Sequence, residues 1–304
     1  MMRVSVIICT YNRERFLGDT LESVAAQPFP KEQVQIVLVD NNSTDSTPAI
    51  AERFKETHPD SEVVYVVETN QGHTYARNRG IKESDGDILL FLDDDVLLDP
   101  GYLTRLVHHY ETMPDLAASG GRVIVRYENE RPVWMSRFLE PMLGHQDFGR
   151  AVKSYAKNSY PVGCSMAFRA STFTKTGVFN PDLGRRGTAL GGNDEKDMLF
   201  RVRAAGLNIT YLPDVILEHR IDDRRLTHDY VRRQAIGVGQ GERIRLSGTG
   251  FKGWMSKILE ESVKIGGTMV LAILFTLKGT PAKASMVIRF RYWVWQGLLS
   301  LREP

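Results

Sequence analysis

A chain of 304 residues, 42% hydrophobic and 25% charged, has the composition of a folded globular protein with room for one large core and an extension, which excludes a disordered or low-complexity chain. Lys and Arg number 39 against 37 Asp and Glu, so the net charge of +2 argues neither for nor against nucleic acid, and none is expected as a partner. The two isolated cysteines, Cys9 and Cys164, exclude a disulfide framework and a thiolate metal site and make a reducing compartment the default.

The run from Arg3 to Cys9, built on VSVII, predicts a fully buried strand. No layout of basic, apolar and small-residue regions precedes it, so the catalytic part is expected in the cytoplasm. Phe16 to Ala26 carries apolar residues at helical spacing and stops before Pro28. Gln35 to Asp40 predicts a second buried strand, Ser46 to Thr57 a helix with Pro48 in its first turn, and Val63 to Val67 a third strand. Thr74 to Lys82 predicts a helix and Ile88 to Leu92 a fourth strand. Strands alternating with helices in this way indicate βαβ units and a parallel sheet. Residues 1–100 therefore read as a nucleotide-binding α/β half.

After Pro100 the rhythm changes. A helix (Tyr102 to Tyr110) and a strand (Arg122 to Tyr127) precede a polar, irregular insertion from Glu128 to Ser159. A short strand (Met166 to Arg169) and a helix (Ser171 to Thr176) follow, then a Gly-rich, basic loop from Asn180 to Asn193. Asp194 to Ala205 predicts a helix, and Ile209 to Leu212 and Val215 to Glu218 two strands. Residues 101–250 are expected to complete the same domain as its catalytic, acceptor-binding half.

The tail, residues 251–304, differs again. Ile265 to Leu277 is apolar but shorter than the roughly 20 residues needed to span a bilayer. Met286 to Leu301 mixes aromatics, aliphatics and arginines. No acid occurs between Ser262 and Arg302, while Lys264, Lys278, Lys283, Arg289, Arg291 and Arg302 are basic. This reads as amphipathic helices lying on an anionic membrane surface, with packing on the core or on a second subunit of a homodimer as the other candidate.

Five segments carry candidate chemistry. FLDDDVLLDP ends a buried strand in Asp93, Asp94 and Asp95, and strand ends in α/β sheets are where ligands bind. Adjacent carboxylates repel, and a divalent cation with oxygen ligands would compensate them. On an extended backbone Asp93 and Asp95 share a side while Asp94 faces elsewhere. In CTYNR, Tyr11 offers a face for stacking a base and Thr10 a hydrogen bond, though a structural turn explains the segment equally well. In VDNNSTD, Asp40 ends a strand and is assigned a ligand role, the imino hydrogen of a uracil or thymine ring being a suitable donor. Ser43, Thr44 and Asp45 are assigned to helix capping. In NQGHTYARNRG, one of Arg77 and Arg79 is expected to pair with a phosphate or with Asp40. In GGNDEKDMLFRVR, Asp194, Glu195 and Asp197 open a helix, where the dipole favours anions; a carboxylate at the mouth of a pocket also suits a general base. His219, ending a strand, is a candidate third metal ligand, although a lone His is more often structural.

Taken in order, VSVIICTYNR, VDNNSTD, NQGHTYARNRG, FLDDDVLLDPGYL, YPVGCSMAFR and GGNDEKDMLFRVRAAG, followed by His219, resemble the family 2 glycosyltransferases over about residues 3 to 220. The resemblance implies an α/β GT-A fold, a Rossmann-like and mostly parallel central sheet flanked by helices, here with a C-terminal helical membrane-associated extension. It implies an inverting transfer from a nucleotide diphosphate sugar, expected to be UDP-linked, to a glycan or lipid-linked acceptor in cell-surface glycan or glycolipid synthesis. By the same resemblance Thr10, Tyr11, Arg13, Asp40, Arg77, Asp93 and Asp94 would line the nucleotide site. Asp93, Asp95 and His219 would hold Mg2+ or Mn2+. The family's Glu-Asp pair reads Asp194-Glu195 here, in reverse order. Position gives the base role to Glu195, with Asp194 next. Arg185, Arg186, Arg224, Arg225, Arg232 and Arg233 are candidate clamps on the leaving diphosphate, or a solvated or lipid-facing surface. The protein is expected at the cytoplasmic face of the cell membrane as a peripheral protein. A nucleotidyltransferase would carry a Gly-rich, Arg-Lys loop after its first strand, where this chain has CTYNRERF. A non-catalytic scaffold would be marked by loss of the metal or base acids, and both groups are present.

Overall fold

The structure is a computed structural model that describes residues 1–157, 159–184, 194–246 and 248–300. They fall into two compact units: residues 1–126, 144–184 and 194–220, and residues 127–143 and 221–300.

In the first unit the strands and helices follow the hydrophobic pattern closely. β1 (Val4–Thr10), β2 (Val34–Asp40), β3 (Glu62–Val67) and β4 (Ile88–Leu92) are joined through α1 (Leu17–Ala25), α2 (Thr47–Thr57) and α3 (His73–Glu83). They pair in parallel in the order β3-β2-β1-β4. β1 is buried along its whole length and its side chains alternate between two layers. Val4, Val6 and Ile8 pack with Leu17, Leu21 and Leu103, while Ile7 and Cys9 pack with Ala76 and Met198.

The sheet then continues antiparallel. β5 (Val96–Leu98) leads to α4 (Tyr102–Thr112), and β6 (Leu116–Tyr127) starts six residues before the expected strand. β7 (Lys153–Ser154), β8 (Ser165–Arg169), α5 (Thr172–Thr176), α6 (Asp194–Ala204) and β9 (Asn208–Ile221) follow. Among the described residues the sheet order is β3-β2-β1-β4-β8-β6-β9-β5, with β7 also on β9. The two strands expected on either side of Pro213 are therefore one. Along one edge β9 changes partner, Tyr211 pairing with Lys153 and Leu217 with Leu98, and Pro213 falls between these two ladders.

The second unit contains the irregular segment 127–143 and three long helices: α7 (His228–Leu246), α8 (Gly250–Leu277) and α9 (Pro281–Leu299). α7 was not expected; Gly237, Gly239 and Gly241 weaken its helical signal, and tertiary packing overrides propensity here. Gly239 and Gly297 let α7 and α9 approach closely, since a Cβ on Gly239 would lie 2.1 Å from the Val294 carbonyl oxygen. Arg224 and Arg233 pair within this unit with Asp222 (3.0 Å) and Asp229 (2.9 Å). Among the described residues no helix is long and apolar enough to cross a membrane. Arg185, Arg186 and Arg302 lie outside the described residues.

Candidate active site

The parallel register brings three loops to one sheet edge. Thr10 pairs with Asp40, and Ile8 with Leu92, so the residues after β1, β2 and β4 emerge side by side at the carboxyl ends of their strands. The chain runs β1 to β3 on one side of β1 and returns to β4 on the other. The crevice between β1 and β4 is therefore the topological switch point, where open α/β sheets bind ligands.

The aspartate trio stands at this crevice. Asp94 and Asp95 are buried and Asp93 half-buried. The turn after β4 leads straight into β5, which pairs antiparallel with β9 so that Val96 lies opposite His219. That ladder brings the His219 Nε2 to 3.0 Å from Asp95 Oδ1. Asp93, Asp95 and His219 each offer a ligand atom, and these atoms all lie within 4.8 Å of one another. Gly144, at φ +89°, makes room behind the ring: a Cβ there would stand 2.8 Å from His219 Nδ1.

The electrostatics match the donor set. Burial pushes the Asp93 carboxyl up, and the charge of Asp95 pushes it further. Burial likewise pushes Asp94 up to about 7, with Arg13 acting against it and Asp95 and Asp93 with it. Arg13 is the partial answer from within the chain. Its Nε lies 3.1 Å from Asp94 Oδ1 and its Nη2 3.1 Å from Asp95 Oδ2. Arg13, with His219 and Arg77 acting on Asp93, offsets the three acids only in part, and the carboxylate-rich pocket that results fits a hard divalent cation with oxygen and imidazole ligands.

The loops after β1 and β2 hold each other. Asn12 and Asn42 adopt left-handed backbone conformations, φ 53° and 67°, which Asn tolerates better than most residues. Asn12 Oδ1 accepts from the Thr44 N–H (2.8 Å), and Ser43 Oγ accepts from the Asn12 N–H (3.0 Å). Ser43 and Thr44 thus tie loop to loop rather than cap α2; Asp45 accepts from the Thr47 N–H (2.9 Å). Tyr11 is about half exposed, while Thr10 is buried. Asp40 is buried, accepting from the Ser43 N–H (2.8 Å) and the Tyr65 hydroxyl (3.0 Å). Tyr65 was not singled out in the sequence, because a Tyr in a strand signals only packing.

Arg77 corrects the expected pairing with a phosphate or with Asp40. It is fully buried on α3 and donates to Asp194 Oδ2 (2.7 Å) and Glu195 Oε1 (2.8 Å) at the start of α6. Its guanidinium also stacks against Phe179, 5.4 Å from the ring centre. Burial works against its charge, but Asp194, Glu195 and Asp93 outweigh burial and keep it ionised. Arg79 instead pairs with Glu83 (2.7 Å), and Asp197 with Arg201 (2.9 Å) along their own helices. Asp194 is buried by this pairing, whereas the Glu195 side chain keeps 28% exposure and can meet a substrate.

Gly163 is a further site residue the sequence reading passed over. A Cβ there would lie 1.8 Å from Glu195 Oε1 and 2.7 Å from Arg77 Nη2. Its one signal in the sequence is its place in YPVGCSMAFR, where a small residue precedes a buried strand.

A switch-point crevice that carries an Asp-rich turn is where a mixed α/β sheet of this order binds its ligand. The family model of glycosyl transferase family 2 matches residues 5–177, more than half of the chain, and the chain belongs to that family. Membership of that family makes it a glycosyltransferase. Among its relatives is the glucosyl-dolichyl phosphate glucuronosyltransferase of Haloferax volcanii, 26% identical over 248 residues, 80% of this chain and 77% of the relative. The fold is similar to that of a mannosyltransferase from Pyrobaculum calidifontis in complex with GDP-Man and Mn2+ (TM-score 0.66, 20% identity, 99% of this chain and 88% of that chain). It is also similar to residues 1–349 of Staphylococcus aureus TarS in complex with UDP-GlcNAc (TM-score 0.56, 18% identity, 97% and 91% of the two chains).

Proposed function

We propose that the protein is a divalent-cation-dependent, inverting glycosyltransferase that moves a sugar from a nucleoside diphosphate sugar to an acceptor hydroxyl in glycan or glycolipid synthesis. The observation that carries this reading is the convergence of Asp93, Asp95 and His219 at the switch point. Mg2+ or Mn2+ held there supplies positive charge for the diphosphate that leaves.

The chain's own residues do the rest. In this reading Tyr11, half exposed on the β1 loop, stacks on the base; the Asp40 carboxylate accepts from the Ser43 N–H of the neighbouring loop. Arg13 holds Asp94 and Asp95 in place through its two contacts. Glu195 is the general base. It takes the proton of the acceptor hydroxyl as that oxygen bonds to the anomeric carbon; the bond from that carbon to the diphosphate oxygen breaks, and the electron pair leaves with the nucleoside diphosphate. Attack opposite the leaving group inverts the anomeric centre. Asp194 and Arg77 are positioning residues, since Arg77 grips one oxygen of each carboxylate and fixes the entry of α6.

The mannosyltransferase relative in fold carries GDP-Man and the TarS relative UDP-GlcNAc, so both bases are tested, with UDP sugars expected first. A hydrolysis screen over nucleotide sugars with Mn2+ or EDTA tests the proposal. Release of a nucleoside diphosphate that needs the ion and disappears in Asp95→Ala supports it. Hydrolysis indifferent to both rejects it.

A further inference from the structure

Helix α8 has two faces of opposite character. On one, Glu261 is buried and accepts from Lys257 (3.1 Å), Lys264 (2.8 Å) and Arg291 of α9 (3.0 Å), while Lys257 also reaches Glu242 of α7 (3.2 Å). This polar spine binds α8 to its two neighbours. On the other face Phe251, Leu259, Val263, Val270, Ile273 and Leu277 are each more than half exposed. At 100° per residue these six fall within an arc of about 120°. From Gly253 onward no charged residue falls inside that arc. The 28 residues of α8 make the stripe about 42 Å long. Single exposed apolar side chains are ordinary, but a continuous stripe of this length marks a binding surface.

Charge identifies the occupant. Exposed lysines stand at both ends of the stripe, Lys252 and Lys278. Beyond Glu261 the described chain carries Lys264, Lys278, Lys283, Arg289 and Arg291 and no acid through Ser300. A second copy docked on the same stripe would bring lysine against lysine at its ends, whereas anionic headgroups would neutralise them. The buried ion pairs on the opposite face keep the helix from inserting end-on, and no described helix is apolar enough to span.

We propose that α8 lies in the plane of an anionic phospholipid surface, with its apolar stripe sunk to the acyl boundary and its terminal lysines on the headgroups. This docking stands apart from the transfer chemistry and is read without it.

The test is flotation of the full chain with vesicles of phosphatidylcholine alone or mixed with phosphatidylglycerol. The protein floats with the mixed vesicles and detaches as salt rises. Leu259→Asp with Val263→Asp lowers vesicle partition at least about tenfold, while the melting temperature stays at the wild-type value. Leu259→Ala with Val263→Ala, which leaves helix propensity intact, gives an intermediate loss, and Asp95→Ala floats as wild type. The proposal is overturned if wild type stays in the buffer, or if the Asp variant floats as well as wild type. It is equally overturned if wild type in buffer shows twice the monomer mass by light scattering and the Asp variant is monomeric, which would give the stripe to a second copy.

Discussion

The backbone of Gly163 lies directly against the carboxylate of Glu195, so close that a single methyl group on the glycine would stand 1.8 Å from Oε1. The proposed base is thus seated on bare backbone on one side and held by Arg77 on the other.

This relationship predicts the effect of Gly163→Ala. The added carbon must push Glu195 and Arg77 aside, and a displacement near 1 Å of a reacting group costs on the order of 100-fold in rate. We expect kcat to fall by that order while the nucleotide still raises the melting temperature as in wild type. Unchanged kcat would show that Glu195 is not the group that reacts.

Glu195→Gln and Asp194→Asn separate the two acids. Loss of a general base costs roughly 100- to 10,000-fold. Glu195→Gln is expected to lower kcat by that amount with the fold intact. Asp194, almost wholly buried against Arg77, is expected to show its effect mainly as lost stability. Chemical denaturation and steady-state kinetics of the two variants distinguish the roles, and the reverse pattern would exchange them.

Arg77→Met removes the partner of two acids. Breaking a buried pair from one side costs about 3–5 kcal/mol, because the other charge remains without compensation. Chemical denaturation of the variant reads this loss, and a variant as stable as wild type contradicts it.

The fold was legible where period and burial agree. The four parallel strands, VSVII to ILLFL, are continuous apolar runs bounded by turn residues, and the structure sets them in parallel order. The Asp trio was legible because three acids after ILLFL are costly without a ligand. Arg77 was misjudged because sequence shows a guanidinium but not its partner; the partners lie 117 and 118 residues away. Gly163 and Tyr65 were missed because their contribution is proximity, which depends on tertiary contact. α7 was missed because its glycines weaken a helix alone yet permit its contact with α9.

The pH dependence of cation binding follows from Asp94. Burial and the neighbouring carboxylates raise it to about 7 against the pull of Arg13. A carboxyl raised above its unfolded value binds the extra proton in the folded state, so without a cation this group withdraws stability as pH rises from about 4 to 7. A cation at Asp93 and Asp95 competes with those protons and releases them. Affinity for Mn2+ should rise with pH and level off above about 7, and calorimetry in buffers of different ionisation enthalpy should show proton release. Affinity that is flat from about pH 5.5 to about 8 would contradict the assignment.

The most direct measurement is a titration of Mn2+ into the protein with UDP, followed by the loss of the free-ion signal in electron paramagnetic resonance. One ion bound per chain in wild type, and none in Asp95→Ala at the same concentrations, is the result expected. Free Mn2+ that does not diminish in wild type, or diminishes equally in Asp95→Ala, would remove the cation from the crevice between β1 and β4 and the proposed mechanism with it.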